Sequence, residues 1–197
     1  MSQFWNFFNL GLGQVLNIQA IEHILFLIVV VAIFSYSDWI RLLWLITIFT
    51  LGHLLAIALS MYNVVTVSGN LVYFLIPVTI LLTALFSLFT AGKNRRDGRI
   101  QIFYFISLFL GIMYGLNFAS RFQAATTASS GEFLPLLEYG LGFEAGQLIV
   151  VLVAMLLSFV IQTIFRFSRR DWVMVISAIV IGYMISLLMR DGILSLG

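Results

Sequence analysis

The chain has 197 residues, 62% of them hydrophobic and 9% charged, where a soluble domain carries about 25% charged residues. One core cannot hide so much apolar surface, so the surplus must face lipid. With no cysteine and a net charge of only +2, disulfides, thiolate metal sites, cysteine nucleophiles and a broad basic face for nucleic acid are excluded.

Taken in chain order, residues 1–13 lack the basic start and small-residue cleavage site of a signal peptide. Phe4, Trp5, Phe7, Phe8, Leu10 and Leu12 suggest either a short interfacial helix or the start of the first span. Six apolar runs follow, at 14–36, 39–61, 70–90, 100–119, 136–165 and 172–189. Each is close to the roughly 20 residues that cross about 30 Å of hydrocarbon as a helix, and none alternates as a barrel strand would. The separators are Ser35-Tyr36-Ser37-Asp38, the segment 62–69 with Asn63, Ser68 and Gly69, the charge run 92–99, the small polar loop 123–131 and the charge run 166–171. The expected fold is therefore all-α: a single polytopic membrane bundle of about six helices occupying residues 1–197.

Lysine and arginine set the orientation. Arg41, Lys93, Arg95, Arg96, Arg99, Arg166, Arg169 and Arg170 fall on one side, Arg121 and Arg190 on the other. By the positive-inside rule the first side is cytoplasmic, so both termini face outward, into the periplasm if the membrane is a bacterial inner membrane.

Ionisable groups in hydrocarbon are costly and mark function by default. The first span keeps Glu22 and His23, the second His53 and the fifth Glu144 with Gln147 one turn on; Tyr73, Tyr114 and Asn117 add polar groups in the third and fourth. Counted at 1.5 Å per residue, all fall in the outer half of the bilayer. Groups from five spans at one depth are what a polar cavity opening outward needs. Imidazole and carboxylate together suit nickel, cobalt, zinc or copper, whereas interhelical pairing that merely holds the bundle is the plainer alternative. The expected ligands are His23, His53, Glu144 and Glu22, with Gln147, Tyr114, Tyr73 and Asn117 behind them. His53 and Glu144 are expected to approach each other, with His23 in reach. Gly111-x-x-x-Gly115 and Gly142-x-x-x-Gly146 read as close-packing faces, expected to join the fourth and fifth spans. Pro77 reads as a kink, and no nucleophile or nucleotide-binding motif occurs, so no enzyme is expected.

Four stretches carry a resemblance: Ile21-Glu22-His23-Ile24-Leu25-Phe26-Leu27, Phe49-Thr50-Leu51-Gly52-His53, residues 111–119 (Gly-Ile-Met-Tyr-Gly-Leu-Asn-Phe-Ala) and residues 140–147 (Gly-Leu-Gly-Phe-Glu-Ala-Gly-Gln). In this order they resemble the HupE/UreJ family of small bacterial membrane proteins over nearly the whole chain. The resemblance implies the helical bundle and a permease for nickel or cobalt. No resident cofactor is implied; the bound divalent metal is cargo. Expected partners are the bilayer and the metal ion, with a homo-oligomer left open and nucleic acid excluded. This chain departs from the family pattern at Glu22, usually Asp; at Gln14 and Tyr114, usually His; at Asn17, often Asp; and at Tyr73, usually Glu. His53 and Glu144 are kept. An accessory membrane protein that kept the fold and lost transport is the second reading, and a metal-dependent intramembrane hydrolase a distant third.

Overall fold

The computed structural model describes residues 2–17, 21–34, 38–65, 69–92, 97–126 and 133–192. Residues 35–37, Ser68, 93–96 and most of the polar loop (127–131), all read above as separators, lie outside the described residues. Among the described residues there are seven helices and no strand: α1 (Ser2–Leu16), α2 (Ile21–Ile33), α3 (Trp39–Met61), α4 (Gly69–Thr90), α5 (Asp97–Thr126), α6 (Phe133–Ile164) and α7 (Arg169–Gly192). α3 to α7 are each long and apolar enough to cross a membrane. The protein is an all-α, multi-pass membrane bundle.

The first span is corrected. It is not one helix over 14–36 but the pair α1 and α2, bent by 71°. α1 is part of the bundle. It packs along α6, because Gly11 meets the backbone of Tyr139 and Phe143, Gly142 meets the backbone of Phe8, and Gly146 meets Leu12 and Val15. Side chains at these glycines would hold the two backbones apart. The glycine pairs do make close-packing faces, but the expected partners were wrong. Gly142 and Gly146 receive α1, while Gly111 and Gly115 receive α3 at Phe49, His53 and Ala56. Gly52 completes that seam, its Cα standing against the backbone of Leu108.

The principal helix pairs are thus α3 with α5, α1 with α6, and α4 with α7, with α2 set against α4, α6 and α7. α2 buries His23, Phe26, Leu27 and Val29 to Ala32, a pattern apolar all round that suits a central helix. The outer faces carry Trp44, Leu51, Leu55, Leu152, Val153, Leu156 and Leu157, all exposed, as lipid requires.

Local chemistry ends the helices. After α3, Asn63 takes a φ of 54° while its N–H reaches Ser60 O and that of Val64 reaches Leu59 O, a Schellman closure. α7 starts at Ser168, whose Oγ accepts from the Asp171 N–H and donates to the Asp171 carboxylate. Arg169 then donates to the carbonyl of Ile33, tying the end of α2 to the start of α7. Pro77 sits inside α4, which continues past it as one helix. Thr79, Thr83, Ser87 and Thr90 of α4 donate back to carbonyls one turn earlier, so this row of hydroxyls is satisfied within its own helix.

Candidate functional site

The site begins as three helical stripes. On α3, Ile46, Phe49, Thr50 and His53 are buried on one face; on α6, Tyr139, Phe143 and Gln147 recur every fourth residue; on α5, Leu110, Tyr114 and Phe118 do the same. The glycine seam between α3 and α5 brings the Phe49 and Tyr114 rings to 5.8 Å. α2 enters from the break with His23 in its first turn.

His53 is fully buried in a stack of rings. Phe143 lies 4.3 Å away and 13° from parallel, and Tyr139, Phe118 and Phe49 follow at 5.8, 6.3 and 6.4 Å. Its Nε2 pairs with the Tyr139 hydroxyl at 2.8 Å. Its Nδ1 is buried with no hydrogen-bond partner. The Tyr139 hydroxyl can donate to or accept from Nε2, so the contact is compatible with either tautomer of His53.

His23 is 2% exposed and touches Phe49, Tyr114 and Phe143 at 4.6, 5.2 and 5.6 Å between ring centres. Its Nε2 lies 3.1 Å from Gln147 Nε2, and Gln147 Oε1 lies 3.1 Å from Thr50 Oγ1. His23 Nδ1 and the Tyr114 hydroxyl are buried with no hydrogen-bond partner. Glu22 is half-buried and precedes His23 in the first turn of α2. Both imidazoles pack against Phe49 and Phe143.

Four helices therefore contribute to one buried layer: His23 from α2, Thr50 and His53 from α3, Tyr114 from α5 and Gln147 from α6. Tyr73, on α4, is 60% exposed and stands outside it. Asn117 is half-buried near the Tyr114 stripe. Glu144 is half-buried and accepts from Thr47 Oγ1 at 2.6 Å, whereas His53 pairs with Tyr139, so these two share no direct hydrogen bond. Among the described residues no three histidine, aspartate or glutamate side chains gather into a set that could hold a metal ion.

Sequence reading missed five residues. Tyr139 and Phe143 were legible only as apolar residues, and their spacing of four from each other and from Gln147 was the available signal. Thr47 and Thr50 look like ordinary membrane-helix hydroxyls. Glu138, buried with Oε2 unpartnered, was overlooked because it stands near a loop, where acids are common.

One family model, described as HupE / UreJ protein, matches residues 1–191. No curated protein and no solved structure matches the chain.

Proposed function

The chain belongs to the HupE/UreJ family, and from that premise we propose that it is a permease for a divalent transition-metal ion, nickel or cobalt, in a bacterial inner membrane. The supporting observation is the buried layer around His23. Its Nδ1 has no protein partner, Glu22 is its neighbour, and an unpartnered Tyr114 hydroxyl touches the same pocket of rings. Neutral imidazole with a carboxylate and a hydroxyl is a donor set for nickel or cobalt. In this reading the ion meets His23 and Glu22 first. His53 and Glu144 lie further along the path and engage when Tyr139 and Thr47 release them. Movement of α2 is the natural gate, since a span broken within the bilayer recurs at transporter sites. The termini face the periplasm, in keeping with the eight-to-two distribution of basic residues. Without a nucleotide-binding motif, transport is facilitated or coupled to an ion gradient.

A specific observation also favours the accessory-protein reading. The ring nitrogen of each histidine and the carboxylate of Glu144 are already paired with neutral groups: Gln147, Tyr139 and Thr47. That is the pattern a bundle held by interhelical hydrogen bonds would have.

Calorimetric titration of the purified protein with nickel and cobalt, followed by uptake into proteoliposomes, separates the two. Saturable binding and uptake, both lost in His23→Ala, support the permease; a silent titration leaves the accessory reading. Because the chain has no cysteine, single cysteines at Ser2 and Asn94 test orientation without background. Labelling from outside should reach the first and spare the second.

A further inference from the structure

Gln147 is the link between His23 and α3, and its amide can be oriented two ways that differ only in which atom is oxygen and which nitrogen. In the first, Gln147 Nε2 donates to His23 Nε2 at 3.1 Å and Oε1 accepts from Thr50 Oγ1 at 3.1 Å. His23 must then carry its proton on Nδ1, a buried N–H without an acceptor. With the amide rotated, the unpartnered imidazole N–H disappears and each of the three contacts carries one proton to an acceptor, the second amide hydrogen being unplaced in either orientation. Thr50 Oγ1 donates to the Ile46 carbonyl at 3.1 Å, Gln147 Nε2 donates to Thr50 Oγ1, and His23 Nε2–H donates to Gln147 Oε1. What remains on His23 is a bare lone pair at Nδ1. Buried donors without acceptors are rarer in folded proteins than acceptors without donors, so the rotated pattern is favoured.

We propose that Gln147, itself held by Thr50, is a positioning residue that fixes His23 in its Nε2–H tautomer and leaves Nδ1 as the atom facing a ligand. His53 is held differently, its Nε2 paired with the Tyr139 hydroxyl. The ligand half of this statement rests on the permease reading; the tautomer half does not. Groups that orient a histidine in this way govern metal affinity without touching the metal.

The two histidines make the test direct. Nitrogen-15 NMR of the full-length, metal-free protein, labelled on histidine and held in lipid nanodiscs, reads both tautomers, and His53→Phe assigns the signals. His23 should show a protonated Nε2 and an unprotonated Nδ1. Gln147→Glu, which still accepts from Nε2–H, should keep that pattern. Gln147→Leu should give a mixture, and so should Thr50→Val, which keeps its shape but frees the amide to turn. Unchanged His53 signals serve as the folding control, and Thr50→Val carries the test if Gln147→Leu fails to fold. A protonated Nδ1 in the wild type, or a tautomer indifferent to both variants, overturns the proposal. Nickel affinity should fall about 10- to 100-fold in Gln147→Leu and stay within a few-fold in Gln147→Glu. The predicted tautomer without nickel affinity in the wild type would remove the permease reading and the ligand role of Nδ1, and would leave the positioning role of Gln147 standing.

Discussion

His23 and His53 both pack against Phe49 and Phe143, yet the bundle treats them differently. His53 lies flat in a stack on two continuous helices, its Nε2 capped by a tyrosine and its helix fixed by a glycine seam. His23 meets the same two rings at tilts of 54° and 40°, stands in the first turn of a half-span and shares its pocket with the unpartnered Tyr114 hydroxyl, although Nδ1 is without a partner in both histidines. A family motif marks both equally. The surroundings give one the character of a core residue and the other that of a site.

The largest effects should come from breaking the seams that make the two environments. Gly115→Leu pushes a side chain into the backbone of His53, and Gly142→Leu pushes one into the backbone of Phe8. Neither obstacle is a flexible side chain, so each substitution should exceed the roughly 1–3 kcal/mol of ordinary overpacking. Both variants should be lost from the monodisperse peak in detergent chromatography. Wild-type elution of Gly142→Leu would show that α1 does not need α6.

Next comes the contrast in binding. His23→Ala should abolish nickel binding by calorimetry, whereas His53→Phe should keep a measurable first binding event and lose uptake. The reverse outcome would exchange the roles assigned here. Imidazole must be unprotonated to coordinate, and protons therefore compete with the metal. Nickel affinity should fall as pH is lowered, and a flat profile would place the ion on oxygen ligands alone.

A smaller effect concerns stability. His53→Ala removes a ring from the stack and leaves the Tyr139 hydroxyl unpaired, which should cost about 3–5 kcal/mol by analogy with large-to-small core changes. His53→Phe keeps the stack and loses only the hydrogen bond, about 1–3 kcal/mol. Thermal unfolding in detergent should rank them wild type, His53→Phe, His53→Ala. Equal midpoints for the two variants would mean that the tyrosine bond, and not the stack, holds this region.

The smallest expected change is at Tyr114→Phe. The hydroxyl has no partner to lose, so stability should hold or rise slightly, and nickel affinity should drop only a few-fold. Tyr114→His, which supplies the imidazole usual in the family, should instead tighten binding. If it does not, the ring cannot turn its nitrogen toward the ion.

Much of this was legible in the chain itself. The run 39–61 coincides with α3, and the last four runs lie on α4 to α7, because length and hydrophobicity alone select a membrane helix. The bend between α1 and α2 was not legible, because an apolar run reads the same whether straight or bent. Nor did the motifs say which helix would meet Gly142, since a small-residue face specifies close approach but not the partner.

The sequence by itself determined that this protein lives in a membrane as a helical bundle and that only a few costly polar groups lie within its spans. Those properties follow from composition and from distance along a helix. The tertiary structure decided which of these groups meet. Glu144 went to Thr47, His53 to Tyr139 and His23 to Gln147, because a side chain's partner depends on how neighbouring helices cross and turn. That rotation is fixed by backbone contacts at Gly111, Gly115, Gly11 and Gly142, which pair residues far apart in the chain.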